Sequence, residues 1–193
     1  MAIEHVNIVD PYIHEPKGVA SALSEDVYIA NGVGSGNWAS PLSLGSHAEI
    51  YITGGTTAHT LNATAGVYDI INPSGEWTAG DSGNGAATTP ASGILTITSA
   101  GVYHIAFWMS FDTAALAAGT EYYFQYDFAG TLSGRTLSVQ KNTAGVDRIN
   151  ISASGLATLT SGSLSIHASG DATSKGTNIT PIDAGLMAFR VAV

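Results

Sequence analysis

The six histidines of the chain are the side chains best suited to bind a metal ion, so their spacing bears directly on metal chemistry. None lies two or four positions from another, the spacing that places two imidazoles on one face of a strand or helix. His14-Glu15 begins like a zinc-binding helix motif, but Pro16 follows at once and Gly18 stands where the second histidine belongs. We expect no zinc helix in this segment.

A serine and a histidine could together support nucleophilic catalysis. Gly80-Asp81-Ser82-Gly83 is the tetrapeptide that surrounds the nucleophile of trypsin-like proteases, and Thr57-Ala58-His59 offers a histidine. Those enzymes separate the two residues by roughly 140 positions, on two different barrels. Here His59 and Ser82 are 23 positions apart. We therefore interpret residues 80–83 as a flexible loop between strands. We expect the protein not to be an enzyme.

Two glycine-rich segments could bind ligands through their backbone. Gly32-Val33-Gly34-Ser35-Gly36 is not a phosphate loop, because no Lys-Ser/Thr pair follows it and no helix begins there. Asp81-Ser82-Gly83-Asn84-Gly85 could offer oxygens to calcium, but the spaced acids and closing glutamate of a calcium loop are missing. We expect neither a cofactor nor a bound metal.

Composition excludes further classes of function. The 193 residues include 6 Lys+Arg against 15 Asp+Glu, a net charge of -9, and the cations stand singly. Phosphate neutralisation and docking on anionic lipid both need clustered basic residues, so we expect neither nucleic acid nor membrane as a partner. Cysteine is absent, which removes disulfides and thiolate chemistry.

The N-terminal residues Met1 to His5 lack the charged and apolar runs of a secretory signal, so we expect assembly in a cytoplasm. The chain is 45% hydrophobic but only 11% charged. Such a composition suggests that other subunits, rather than water, cover part of its surface. We therefore expect the chain to oligomerise.

Residues 1–44 read as an extended arm punctuated by Pro11, Pro16 and Pro41. The arm contains one plausible hairpin, in which Val27 to Ala30 lead through an Asn-Gly turn to Trp38. Two short strands are barely stable alone, so we expect the arm to lie on a partner.

Residues 45–193 alternate with period two between turn residues and show no convincing helical stripe, which indicates a sandwich, barrel or jelly roll. The candidate strands are His47–Thr53, Val67–Ile71, Gly93–Thr98, Val102–Phe111, Glu121–Phe128, Thr136–Lys141, Arg148–Ala153, Ala157–Thr160, Leu164–Ala168 and Leu186–Val193.

Two of these strands are apolar on both faces. In Val102–Phe111 one face carries aromatic residues at odd positions, and the other face is also largely apolar and includes Trp108. Leu186–Val193 likewise has apolar residues on both faces. An antiparallel sheet normally turns one face to water, so a second apolar face needs a cover. Without a helix to provide it, we expect a neighbouring subunit to do so.

The order of these segments resembles a known family. Gly101-Val102-Tyr103 opens a long aromatic strand, Tyr122–Phe128 and Leu164-Ser165-Ile166 follow, and a hydrophobic strand closes the chain at Val193. This pattern, over roughly residues 45 to 193, is similar to the jelly roll of tumour necrosis factor and the complement globular heads, as found on phage particles. The resemblance implies an all-β, antiparallel jelly-roll sandwich that forms a homotrimer around the sheet with the aromatic and C-terminal strands.

The arm carries a second resemblance. Asp10-Pro11, His14 to Val19, Val27 to Gly32 and Gly34-Ser35-Gly36 with Trp38 look like an N-terminal segment of tailed-bacteriophage virion structural proteins. Together the two resemblances imply a capsid decoration or head-fibre protein. It would be assembled in the host cytoplasm and bound to the major capsid protein on the outer surface of the virion.

These readings name candidate residues. We expect the trimer interface to include Val102, His104, Ala106, Trp108, His167, Ala188 and Arg190. We expect the capsid-docking arm to use Asp10, His14, Glu15, Lys17, Tyr28 and Trp38.

Two alternatives stay open. Threefold symmetry could gather copies of His104 or His167 into a zinc site, although buried neutral imidazoles are the simpler interpretation. The trimer could also be a tail-fibre or adhesin module that binds host glycans, for which Trp77 beside Glu76 is the one candidate.

Overall fold

The structure is a computed structural model that describes residues 27–30, 36–39, 45–83 and 85–192. The chain divides into two units, Met1–Leu44 and Gly45–Val193. In the first unit, β1 (Val27–Ala30) and β2 (Gly36–Ala39) pair antiparallel, with Tyr28 opposite Trp38, which confirms the predicted hairpin. The other residues predicted to dock on a capsid lie outside the described residues: Asp10, His14, Glu15 and Lys17.

The described residues of the second unit form thirteen strands and one 3-10 turn, Pro90–Ser92. The strands are β3 (His47–Thr53), β4 (His59–Thr60), β5 (Asp69–Ile70), β6 (Thr78–Gly83), β7 (Ala86–Thr89), β8 (Ile94–Ile97), β9 (Gly101–Thr113), β10 (Glu121–Phe128), β11 (Thr131–Leu132), β12 (Leu137–Gln140), β13 (Arg148–Leu159), β14 (Gly162–Gly170) and β15 (Asn178–Ala192). In the described part of the chain, no helix is long and apolar enough to cross a membrane.

The strands form two antiparallel sheets. Sheet I has the order β13-β9-β15-β3-β6, with β4 beside β15, and sheet II has the order β11-β10-β14-β8-β7, with β12 beside β10 and β5 beside β14. After β8 the chain passes to sheet I for β9, to sheet II for β10 to β12, and then alternates through β13, β14 and β15. Strands distant in sequence thus become neighbours, as in a jelly roll, and the predicted all-β jelly-roll sandwich is confirmed.

The core lies between the inner faces of the two sheets. Along β9 the odd-numbered positions are buried and the even-numbered positions are more open, which is the period-two alternation predicted from the sequence. Phe111 of sheet I packs against Tyr122 and Phe124 of sheet II, with ring centroids 5.7 and 5.4 Å apart. Each such aromatic side chain stabilises the fold by roughly 1.5–3 kcal/mol through burial alone.

Several strands depart from the sequence prediction. Residues 148–153 and 157–160 were predicted as two strands, but β13 is continuous because Gly155 keeps its place in the ladder opposite Ile105. The predicted loop at residues 80–83 is wrong, since these residues belong to β6 and pair with β3. The segment Thr78–Gly83 has no apolar alternation, so only the backbone ladder with β3 defines it as a strand.

Candidate interaction surface

The face of sheet I that points away from sheet II, here called the outer face, carries large exposed apolar side chains. Trp108 on β9 is 37% exposed, Leu156 on β13 is 58% exposed and Phe189 on β15 is 39% exposed. Isolated exposed apolar residues are ordinary, but three on one sheet face form a patch that suits a protein partner.

Strand register places Leu156 and Phe189 in one row across the sheet and Trp108 two outward rows away, with Ala106 and Met187 in the row between them. Leu156, His104 and Phe189 lie directly opposite one another on β13, β9 and β15. Residues directly opposite in antiparallel strands share a face, so this row is continuous. The rings of His104 and Phe189 pack with centroids 5.0 Å apart, and His104 Nδ1 is buried with no hydrogen-bond partner among the described residues.

Trp108 lies flat across its neighbouring strand because that strand has a glycine beside it. Gly185 is opposite Trp108 in the β9–β15 ladder, and a Cβ at residue 185 would overlap the six-membered ring of the indole. A depression beside the indole is lined by Ser110, Asn150, Ser152 and Asp183. An apolar centre with a polar border is the usual anatomy of a protein interface.

An ion pair closes one end of this face. Arg148 donates to both carboxylate oxygens of Asp112, from Nε at 2.7 Å and from Nη2 at 2.9 Å. This hydrogen bonding with Arg148 lowers the pKa of Asp112, and the same contact raises the pKa of Arg148. At the far edge, His47 Nε2 lies 3.3 Å from the Asp81 carboxylate.

Four of the predicted interface residues share the outer face. Trp108 is exposed, whereas Val102, His104 and Ala106 are partly buried. The sheet therefore brings these four side chains together on one surface. Whether that surface joins subunits stays a prediction.

The predicted face of the C-terminal strand is wrong. Ala188 is 1% exposed and lies opposite Ile105 in the core, so it is not on the outer face. Arg190 lies opposite Tyr103 on the same inner side, at the end of the ladder, and its Nη1 donates to the carbonyl of Ala100 at 3.4 Å. The register with β9 therefore sends Met187 and Phe189 outward instead.

His167 does not join His104. It lies on β14 in sheet II, opposite Gln125, and its Nε2 is 3.1 Å from Ser165 Oγ. The histidine that interacts electrostatically with His167 is His59. Burial lowers the pKa of His59, and the nearby Asp69 carboxylate partly offsets this effect. His167 lowers the pKa of His59 further. The two predicted interface histidines therefore lie on different sheets. Whether copies of either one meet at a threefold axis stays a prediction.

Two apolar residues of the outer face were missed in the sequence. Leu156 fell in the gap between two predicted strands, and Phe189 was assigned to the opposite face from Ala188 and Arg190. A continuous β13 places Leu156 beside His104. The period-two pattern of β13 was the available signal. Ala157 and Leu159 point inward, so Leu156, one position before Ala157, points outward.

The two alternative chemistries, protease-like catalysis and metal binding, require side chains that lie close together. His59 pairs with Ile179 near one end of β15, while Ser82 pairs with Ala48, opposite Ala188. Nine residues of strand separate these positions, about 30 Å. Among the described residues, no group of three His, Cys, Asp or Glu side chains could hold a metal ion.

No protein-family model matches the sequence, and no curated protein matches it. Among solved structures, the chain is similar to the globular domain of zebrafish complement 1qA protein, with 12% identity, a TM-score of 0.46, and coverage of 76% of this chain and 97% of that one. It is also similar to Eiger TNF from S. frugiperda, with 10% identity, a TM-score of 0.48, and coverage of 76% and 94%. Both likenesses concern the fold alone.

Proposed function

We propose that this chain is a non-enzymatic structural protein that assembles into a homotrimer through the outer face of sheet I. The observation that carries the proposal is the apolar patch of Trp108, Leu156 and Phe189 on a sheet whose other face is already filled by the core. Covering such a patch with a second and third copy removes apolar area from water, the dominant favourable term in association.

The trimer is proposed to act as a capsid decoration protein that binds the outer surface of a phage shell through the major capsid protein. The sequence of residues 1–44, with its resemblance to phage virion proteins, supports an arm that docks on the shell. A clamp that binds only the assembled shell stabilises it by mass action, and three linked arms raise the effective concentration of each.

The glycan-binding alternative loses its candidate residue. Trp77 is 7% exposed, and its Nε1 donates to the carbonyl of Ile71 at 2.9 Å, so the indole packs inside the fold. The neighbouring Glu76 accepts hydrogen bonds from the backbone N–H groups of Thr56 and Thr57. A hydrogen bond with the Thr57 side chain, followed by the two backbone hydrogen bonds, lowers the pKa of Glu76.

Light scattering on the purified full-length chain tests the assembly. We expect a species of three times the 19.7 kDa chain mass at micromolar concentration. A clean monomer at that concentration would contradict the proposal. Mixing the protein with undecorated particles and imaging them then tests the capsid role.

A further inference from the structure

A second apolar surface lies inside the edge of the sandwich. Here the edge strand β13 of sheet I and β12 of sheet II border a cleft that is open to solvent. Its floor is made of core side chains that are at most 6% exposed: Ile105, Phe107, Phe124 and Ile166. The cleft therefore reaches the apolar interior from the surface.

The sequence of β13 keeps this cleft open. The side chains that β13 turns inward are large near both ends of the strand, with Ile149, Ile151 and Leu159 buried. Between them, Ala153 lies opposite Phe107 and Gly155 lies opposite Ile105. These two small residues leave the sandwich edge unfilled over one short stretch.

A positively charged side chain, that of Arg135, lies at the mouth of the cleft. The guanidinium of Arg135 crosses from the β11–β12 loop to β13, where Nη1 would be 3.6 Å from a Cβ on Gly155. The loop is fastened by Gln125, whose Oε1 accepts from Gly134 N at 3.2 Å and whose Nε2 donates to Thr136 Oγ1 at 2.7 Å. These bonds fix the turn from which Arg135 extends over the opening.

The charge of Arg135 has no partner in the described part of the chain. The ion pairs found there are His47 with Asp81 and Arg148 with Asp112. In a chain of net charge -9, an exposed arginine without a carboxylate beside an apolar cleft is a marked feature. Guanidinium binds carboxylates through two parallel hydrogen bonds.

We propose that the cleft binds a linear aliphatic carboxylate of medium chain length. The tail lies on Phe107 and Phe124, and the carboxylate pairs with Arg135. An apolar wall with a single charged group at its mouth is the usual composition of a site for such an amphipathic anion. The small inward residues of β13 leave room for one unbranched chain. This site borders the proposed trimer interface, because Gly155 in its lining precedes Leu156 on β13.

Calorimetric titration of the full-length protein tests the site with three probes that share one tail: decanoate, decanol and decyltrimethylammonium, each below its micelle concentration. We expect saturable binding that is tightest for decanoate. Arg135→Gln should weaken decanoate binding about tenfold, the effect of losing one charged hydrogen-bonded contact, and leave decanol binding unchanged. Lys175→Gln, which removes an exposed cation elsewhere, is the matched control and should change neither.

A second variant tests the cleft itself. Ala153→Leu places a larger side chain on the inward face of β13 and should abolish binding of both decanoate and decanol, with an unchanged melting temperature as the check on folding. Absence of decanoate binding to the full-length protein would overturn the proposal, as would equal affinity for decanoate and decyltrimethylammonium. Binding only by a dissociated variant would assign the cleft to a neighbouring subunit and would also overturn it.

Discussion

At the scale of single residues, Trp108 offers the sharpest test of the outer face. Trp108→Glu would place a carboxylate in the centre of the proposed interface, where burying an unpaired charge costs several kcal/mol. The cost would recur in each of the three subunits. We expect the variant to elute as a folded monomer on size exclusion with light scattering.

The matched control for this substitution is Leu132→Glu. Leu132 is 37% exposed, the same fraction as Trp108, but it lies on β11 at the edge of sheet II. We expect Leu132→Glu to leave the oligomeric state unchanged. If Trp108→Glu remains a trimer, or if both variants dissociate, the outer face of sheet I is not the specific interface.

His59 predicts a pH dependence of stability. Its lowered pKa means that the folded chain binds this proton less readily than the unfolded chain, whose value is near 6.5. Stability is therefore full above pH 6.5 and declines as the pH falls towards the lower folded-state pKa, below which the loss levels off. Asp112, also with a lowered pKa, loses its contribution only at pH values below its ordinary 3.8.

Urea denaturation of the wild type and of His59→Gln between pH 7.5 and pH 5 measures this dependence. We expect the wild type to lose stability across that interval and the variant to lose clearly less, because glutamine cannot be protonated. An identical slope in both proteins would assign the effect to a group other than His59.

At the scale of elements, a buried lysine joins the end of β9 to the turn before β13. Lys141 is 1% exposed, and its Nζ donates to Thr113 Oγ1 at 2.8 Å and to the Gly145 carbonyl at 2.7 Å. Lys141→Met keeps most of the apolar stem but removes a donor from both acceptors, which leaves Thr113 Oγ1 with the Asp147 N–H and takes the Lys141 donor from the partly buried Gly145 carbonyl. We expect a loss of about 1–3 kcal/mol in the free energy of unfolding.

Lys175→Met is the control for this change. Lys175 is exposed, and a surface substitution of this kind usually changes stability by no more than about 0.5 kcal/mol. Thermal or chemical denaturation of both variants gives the comparison. Equal stability of Lys141→Met and the wild type would show that the two hydrogen bonds are replaced by water.

The sequence predicts best those elements whose pattern is local. His47–Thr53 and Glu121–Phe128 were predicted with their observed bounds, because alternating apolar and polar residues mark both strands clearly. The strand Thr78–Gly83 was not predicted, because its small and polar residues form a strand only through backbone pairing with β3, between residues 27 to 36 positions apart in sequence. Long-range pairing of this kind leaves no local pattern.

The outer face was predictable only in part for a related reason. On β9 the inward residues are strongly aromatic, so Trp108 and His104 were correctly placed on the other face. On β15 both faces are apolar, and alternation alone cannot say which one is inside. The register with β9, with irregularities at Pro181/Asp183 and Arg190/Ala192, decides it. Proline lacks the N–H that a ladder requires, which accounts for the first irregularity.

At the scale of the whole molecule, the proposed assembly and the proposed shell binding belong to different parts of the chain. The apolar outer face belongs to the unit Gly45–Val193, whereas the sequence resemblance to virion proteins lies in Met1–Leu44. The core of the second unit is formed by residues from Ala48 onward. Folding and trimer formation should therefore be separable from binding to a capsid.

A truncated protein that begins at Gly45 tests this separation. We expect it to remain folded and trimeric, because every core residue of the described chain is retained, and to lose particle binding, because residues 1–44 are the proposed capsid contact. Binding of the full-length protein should weaken with added salt if the acidic arm meets a basic groove. Cosedimentation with undecorated particles, at matched concentrations of the two proteins, measures the difference. Equal binding would move the capsid contact to the jelly roll, while binding by neither protein, with binding to host glycans instead, would favour the adhesin.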